Sequence, residues 1–111
     1  MTLPHAANAT VSEDKITQYL LDINHPDGGS KARFFLSHGY TLTSWFLLAM
    51  ALRLHGQTHP VSGQRPTTDG TNYRVIGPLT MPDGVTRNIK TVWYIETNGT
   101  QPRLVTAYPT R

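Results

Sequence analysis

The chain has 111 residues, with ten Lys or Arg against seven Asp or Glu, a net charge of +3, and only 15% charged residues. That length suits one domain burying roughly two-thirds of the surface its unfolded chain exposes, and leaves no room for a second. The absence of cysteine excludes disulfides, thiolate metal sites and cysteine nucleophiles. The longest apolar run, residues 45–52, is far short of the roughly 20 residues a bilayer span needs.

Residues 1–11 hold Pro4 and small polar residues without hydrophobic period, and are expected to form a flexible arm. No charged start followed by an apolar run is present, so no signal peptide is expected and the expected location is cytoplasmic. Residues 12–111 are expected to be one α+β domain. Ser12 reads as an N-cap, with Glu13 and Asp14 in the first turn where the helix dipole favours negative charge. Val11 and Ile16 stand at staple positions. Ile16, Tyr19, Leu20 and Ile23 supply the apolar stripe of a short helix that stops before Pro26.

Asn24-His-Pro-Asp-Gly-Gly29 is a turn, after which Ser30 is placed to cap a second helix over residues 31–38, with Gly39 as its C′ residue and Phe34 and Phe35 as core contributions. A third helix starts near Thr43 and runs to Gly56, with Leu42 and Leu47 at staple spacing. Apolar residues cover most of its circumference, which predicts a central helix packed on several sides. Residues 56–71 contain Pro60, Gly63, Pro66 and Gly70 without period, and read as a long loop. From Asn72 the pattern turns to β: residues 73–78, a turn at Pro82-Asp83-Gly84, residues 86–96, a break at Asn98-Gly99, and residues 103–108. Pro78 and Pro109 belong at strand ends. Ile89, Thr91, Trp93 and Ile95 share the more apolar face of the long strand, which should meet the helices. The expected architecture is two or three N-terminal helices packed on one face of a C-terminal antiparallel sheet of three to four strands, its other face open to a ligand.

The glycine turn delivers His25, Lys31 and Arg33 to the start of a helix, where the N–H groups of Gly28, Gly29 and Ser30 would add positive potential. The same residues also read as a plain turn, a plain cap and solvated charges, and His25 as a ring packed on a neighbour with a backbone hydrogen bond. His55 and His59 have a spacing used for metals, but Gly56 and Pro60 interrupt the helix that would align them and further ligands are lacking, so no metal and no cofactor are expected. In the sheet, Thr91, Thr106 and Tyr108 carry hydroxyls on adjacent strands, with Arg103 at the start of the last one; strand propensity alone would also put them there. Together these groups are the set that metal-free RNA cleavage requires: a base for the ribose 2′-OH, an acid for the leaving 5′-oxygen, and a cation for the phosphorane. His25 would act as base or acid, Lys31 or Arg103 would hold the charge, and Thr106 or Tyr108 would hydrogen-bond the phosphate, with Arg33, Lys90 and Thr91 contacting RNA.

The strings Asn24-His-Pro-Asp-Gly-Gly-Ser-Lys-Ala-Arg-Phe-Phe35, Gly77-Pro-Leu-Thr-Met-Pro-Asp-Gly84, Thr91-Val-Trp-Tyr-Ile-Glu96 and Pro102-Arg-Leu-Val-Thr-Ala-Tyr-Pro109 resemble a bacterial family of small proteins of unknown function. Its members occur alone or as the C-terminal module of filamentous-haemagglutinin-type adhesins. That resemblance, over residues 12–109, implies delivery within a larger secreted protein as an alternative to a cytoplasmic life. The order of elements and the Thr106-Ala-Tyr-Pro109 strand are similar to the barnase, EndoU, colicin and RelE ribonuclease toxins. This second resemblance implies a bacterial toxin acting on RNA, with a small cognate inhibitor as partner and no membrane. A second catalytic His or Glu on the sheet would then have to be His38 or Glu96. The alternative is a non-catalytic protein-binding module, antitoxin- or immunity-like, with Trp93, Tyr94 and residues 56–71 as its interface.

Overall fold

The computed structural model describes residues 1–110. A short 3-10 turn, Ala6–Asn8, and then three helices precede four strands, in the expected α+β order. Helix α1 (Glu13–Lys15) continues directly as a π-helical stretch, Ile16–Leu20. Ser12 caps it as expected, its hydroxyl oxygen accepting from Lys15 N–H at 3.2 Å. Ile16 and Leu20 are buried, but the helix ends before Ile23, which is exposed while Leu21 takes the core position. Helix α2 (Gly29–Ser37) buries Gly29, Ala32 and Phe35, and Gly39 beyond it adopts φ 103°, the left-handed value a C′ glycine tolerates.

Helix α3 (Trp45–Thr58) corrects the expectation of a helix packed on several sides. It buries one face, Leu48, Ala49, Leu52, His55 and Gly56, against the sheet and leaves Phe46, Leu47, Met50 and Leu54 exposed on the other. Leu42 and Leu47, the expected staple, are both exposed. An apolar circumference shows that a helix could be covered all round; the number of neighbouring elements decides whether it is.

The strands β1 (Val61–Pro66), β2 (Gly70–Thr80), β3 (Thr86–Glu96) and β4 (Arg103–Pro109) form an antiparallel meander in that order. β1 replaces most of the long loop expected over residues 56–71, while the end of α3 takes residues 56–58. β1 has no alternating apolar pattern because it is a solvated edge strand, held through its backbone pairing with β2. β2 and β3 pair along their full length, from Gly70 opposite Glu96 to Thr80 opposite Thr86. Pro78 lies on β2 beyond its last pairing with β1, where a missing N–H breaks no ladder on that side.

Ile89, Thr91, Trp93 and Ile95 face the helices as the alternation predicts, and Trp93 is wholly buried. Around them gather Ile16, Leu20, Phe35, Leu48, Leu52, Val75 and Leu104. Each large apolar side chain so buried contributes about 1.5–3 kcal/mol.

The segment 1–11, expected as a flexible arm, is tied into this core. Leu3 and Ala9 are buried. Thr10 forms a parallel bridge with Arg103, donating its N–H to the Pro102 carbonyl at 2.8 Å and accepting from Leu104 N–H at 3.1 Å. Arg53 and Gln57 of α3 donate to the carbonyls of Ala9, Ala7 and Ala6. These hydrogen bonds are to backbone atoms, which explains why composition alone does not show them. Among the described residues, no helix is long and apolar enough to cross a membrane.

Candidate active site

The glycine turn folds around His25. Its Nδ1 accepts the N–H groups of Asp27 and Gly28, both at 3.0 Å, and its carbonyl accepts Gly29 N–H at 3.0 Å. Two donors on Nδ1 select the tautomer with hydrogen on Nε2, so Nε2–H is the end of the ring left for chemistry. Of the three N–H groups expected to face an anion, those of Gly28 and Gly29 are therefore engaged within the chain. Gly28 is required by close approach: a Cβ there would stand 2.6 Å from Tyr19 Cδ1.

That contact seats Tyr19 between the turn and the last strand. Its ring meets His25 edge-on with centroids 5.0 Å apart, and its hydroxyl is 2.9 Å from Thr106 Oγ1. Lys31 Nζ donates to the Asp27 carbonyl at 3.0 Å and lies 5.6 Å from the Tyr19 ring and 5.8 Å from the Tyr108 ring. Lys90 Nζ approaches Tyr108 to 5.4 Å, and Lys15 Nζ approaches Tyr19 to 5.1 Å. A shallow recess of ≈ 310 Å³ opens between Ser30, Lys31, Tyr108 and Pro109. The early turn and the terminal strand thus meet at the β4 edge, bringing His25, Lys31, Lys90, Thr106 and Tyr108 into one neighbourhood. The cations over these rings are held by the π-electrons and by local carbonyls, leaving hydrogens for a ligand.

Arg103 stands apart from this group. Tyr108 is paired with Lys90 and Arg103 with Tyr94, four residues along β3 or about 13 Å at strand rise. Its guanidinium lies 5.7 Å from the Tyr94 ring and bonds Glu96 at 3.0 Å, beside an open cleft of ≈ 410 Å³ lined also by Thr10, Ser12 and Lys15. Thr91 is fully buried on the helix side and is out of reach of RNA. Its hydroxyl accepts Trp93 Nε1–H at 2.8 Å and donates to His55 Nδ1 at 3.0 Å, while His55 Nε2–H donates to the Gly77 carbonyl at 3.1 Å. Burial holds the His55 ring below the ordinary histidine pKa. Arg33 is exposed on α2. His38 donates from Nδ1 to Asp83 at 2.7 Å, joining the end of α2 to the β2–β3 turn and lowering the Asp83 carboxyl pKa. Neither His38 nor Glu96, paired with Arg103, joins the cluster at the β4 edge.

Tyr19 and Lys15 are the members that sequence reasoning missed. Tyr19 reads as a core residue because it falls on the apolar stripe; the signal available was its hydroxyl, which needs a partner when half-buried. Among the described residues, no group of three or more His, Asp or Glu side chains is arranged to hold a metal ion.

A family model described as a domain of unknown function (DUF6883) matches residues 2–111. The chain belongs to that family. None of the curated proteins matches it. Among solved structures, a chain of the "Contact-dependent growth inhibition toxin - immunity protein complex from Klebsiella pneumoniae 342" superimposes with a TM-score of 0.68 at 13% identity, over 96% of this chain and 97% of that one. At this identity the likeness bears on the fold, and it spans the helices and the whole sheet.

Proposed function

We propose that the chain is a metal-independent ribonuclease of the bacterial toxin type, acting at the β4 edge. The observation that carries this reading is the convergence of Lys31, Lys90 and the Tyr19–Thr106 hydroxyl pair beside His25. The likeness to a chain of a toxin–immunity complex supports it at the level of fold. In the proposed reaction the ribose 2′-oxygen attacks phosphorus, the bond to the 5′-oxygen breaks, and a 2′,3′-cyclic phosphate forms. The 2′-OH proton passes to solvent, and the departing 5′-oxygen takes its proton from solvent while His25 Nε2–H donates a hydrogen bond to it. Lys31 and Lys90 offset the charge on the phosphorane, while Thr106 and Tyr108 hydrogen-bond its oxygens. Arg103 is too far along the strand to share that phosphate, so its role moves from the reaction to binding.

The test is cleavage of RNA by the purified chain and by variants. Lys31→Ala is expected to lose cleavage by about 100-fold or more, the scale of an electrostatic contact to the transition state. His25→Ala removes the acceptor of two N–H groups of the turn before α2, each worth about 1 kcal/mol, as well as the imidazole. His25→Asn is therefore the sharper variant, since its amide oxygen still accepts the Asp27 and Gly28 N–H groups. It is expected to keep thermal stability and lose cleavage; full activity in His25→Asn would reduce His25 to a brace of the turn.

The exposed apolar stripe of α3 favours a second reading, a module that binds a protein partner without catalysis. A cognate inhibitor would occupy the same kind of surface, so the activity of the separated chain distinguishes the two. An inert chain that still binds its partner supports the second reading.

A further inference from the structure

The solvent-facing side of the sheet has a charge pattern that the cluster at its edge does not explain. Directly paired residues share a face. The register therefore lays out rows: Arg65, Asn72, Tyr94 and Arg103 in one; Gly63, Arg74, Val92 and Thr106 in the next; Ile76, Lys90 and Tyr108 in the third. Each row runs across the sheet to the β4 edge. Arg74 lies flat over Gly63, where a Cβ would collide with its guanidinium, so this cation is spread along the surface towards β1.

In the four strands, Glu96 is the one acidic residue, against Arg65, Arg74, Arg87, Lys90 and Arg103. Glu96 is already paired with Arg103. Four of the five cations fall on the open face. Arg87 falls on the helix side, over the Phe34 ring. Two aromatic rings lie among the cations: Tyr108 beside Lys31 and Lys90, and Tyr94 under Arg103 at the mouth of the Thr10–Lys15 cleft.

We infer that this face is a binding track for single-stranded RNA, which crosses the sheet from the β4 edge towards β1, with Arg74 as its central phosphate contact and the Tyr94–Arg103 cleft as a base-stacking position. The inference rests on the reading of the edge cluster as an RNA site and extends it to the flanking chain. Cations interleaved with open aromatic rings suit a strand whose bases are unstacked and whose phosphates are accessible. A duplex offers the phosphates but keeps its base faces stacked on one another, so it forgoes the tyrosines.

The experiment measures binding of a short fluorescent 2′-O-methyl oligoribonucleotide, uncleavable for want of a 2′-OH, over a range of salt concentrations. Arg74→Gln is expected to weaken binding several-fold and to flatten the salt dependence by about 0.7 in slope, the loss of one phosphate contact on a single strand. Arg87→Gln removes the same charge from the other side of the sheet and is expected to leave both unchanged. The same oligonucleotide annealed to its complement is expected to bind more weakly than the free strand. If Arg74→Gln and Arg65→Gln behave like Arg87→Gln, or the duplex binds as tightly as the single strand, the track is overturned and the face is left to another partner such as an acidic protein. Cleavage of unmodified RNA by the wild type is scored separately. Cleavage without an Arg74 effect removes the track alone; tight, Arg74-dependent binding without cleavage removes the nuclease and keeps the track.

Discussion

Thr91, expected on the helix-facing side of β3 and also as an RNA contact, closes a buried relay, Trp93 Nε1–H to Thr91 to His55 to the Gly77 carbonyl, and is not available to RNA. Among the described residues no buried side-chain polar atom is left without a partner, and this relay is part of the reason. Replacing Thr91 by Val keeps the shape but leaves the Trp93 N–H and His55 Nδ1 unpaired. Each buried polar group left without a partner costs about 1–3 kcal/mol, so Thr91→Val is expected to destabilise by about 2–4 kcal/mol in urea unfolding, and Thr91→Ser by much less. His25 makes the corresponding point at the surface. The sequence leaves it open between a catalytic ring and a packed one, and the structure has its Nδ1 bracing the turn before α2 while Nε2 is not used by that turn.

At the scale of elements, α3 is the one whose two sides differ most. Its inner face anchors the sheet and its outer face carries four exposed large apolar residues. Leu52→Ala is expected to cost about 2–5 kcal/mol, as large-to-small core changes do. Met50→Gln, two residues away, is expected to stay within about 0.5 kcal/mol because nothing covers it; thermal unfolding of the two variants checks this contrast. The same element limits what the sequence reveals. Helical periodicity shows which residues lie on one side of α3, but the composition is apolar all round, so no pattern marks the outer face. β1 fails for the opposite reason: it has no run of apolar residues, only Val61 meeting the core, and its place in the sheet depends on backbone pairing with β2.

Across the whole molecule, stability is tied to the protonation of groups that join elements. His55 links α3 to β2 and β3, with the His59 ring stacked on it at 4.7 Å. Burial lowers its pKa from the ordinary 6.5, so the unfolded chain takes up a proton that the folded ring resists. Its contribution is complete above the ordinary value and is lost as pH falls from 6.5 towards the lowered one. Asp83, lowered from 3.8 by its hydrogen bond to His38, adds a second loss in more acidic solution. Thermal unfolding against pH is therefore expected to show declining stability in both windows, and His55→Gln to flatten the upper one. The sequence by itself determined the order of elements, the buried and open faces of β3, the caps at Ser12 and Gly39, and the residue types available for chemistry. These follow from local rules: periodicity, capping and turn preference act over a few neighbours. The tertiary structure alone decided that the first eleven residues join the sheet and that the Thr91 hydroxyl pairs with His55 and Trp93. It also decided that Tyr19 connects His25 to Thr106, and that Arg103 lies about 13 Å from Tyr108 along β3. Those facts depend on register and on contacts between residues as far apart as Thr10 and Leu104, which no local pattern encodes.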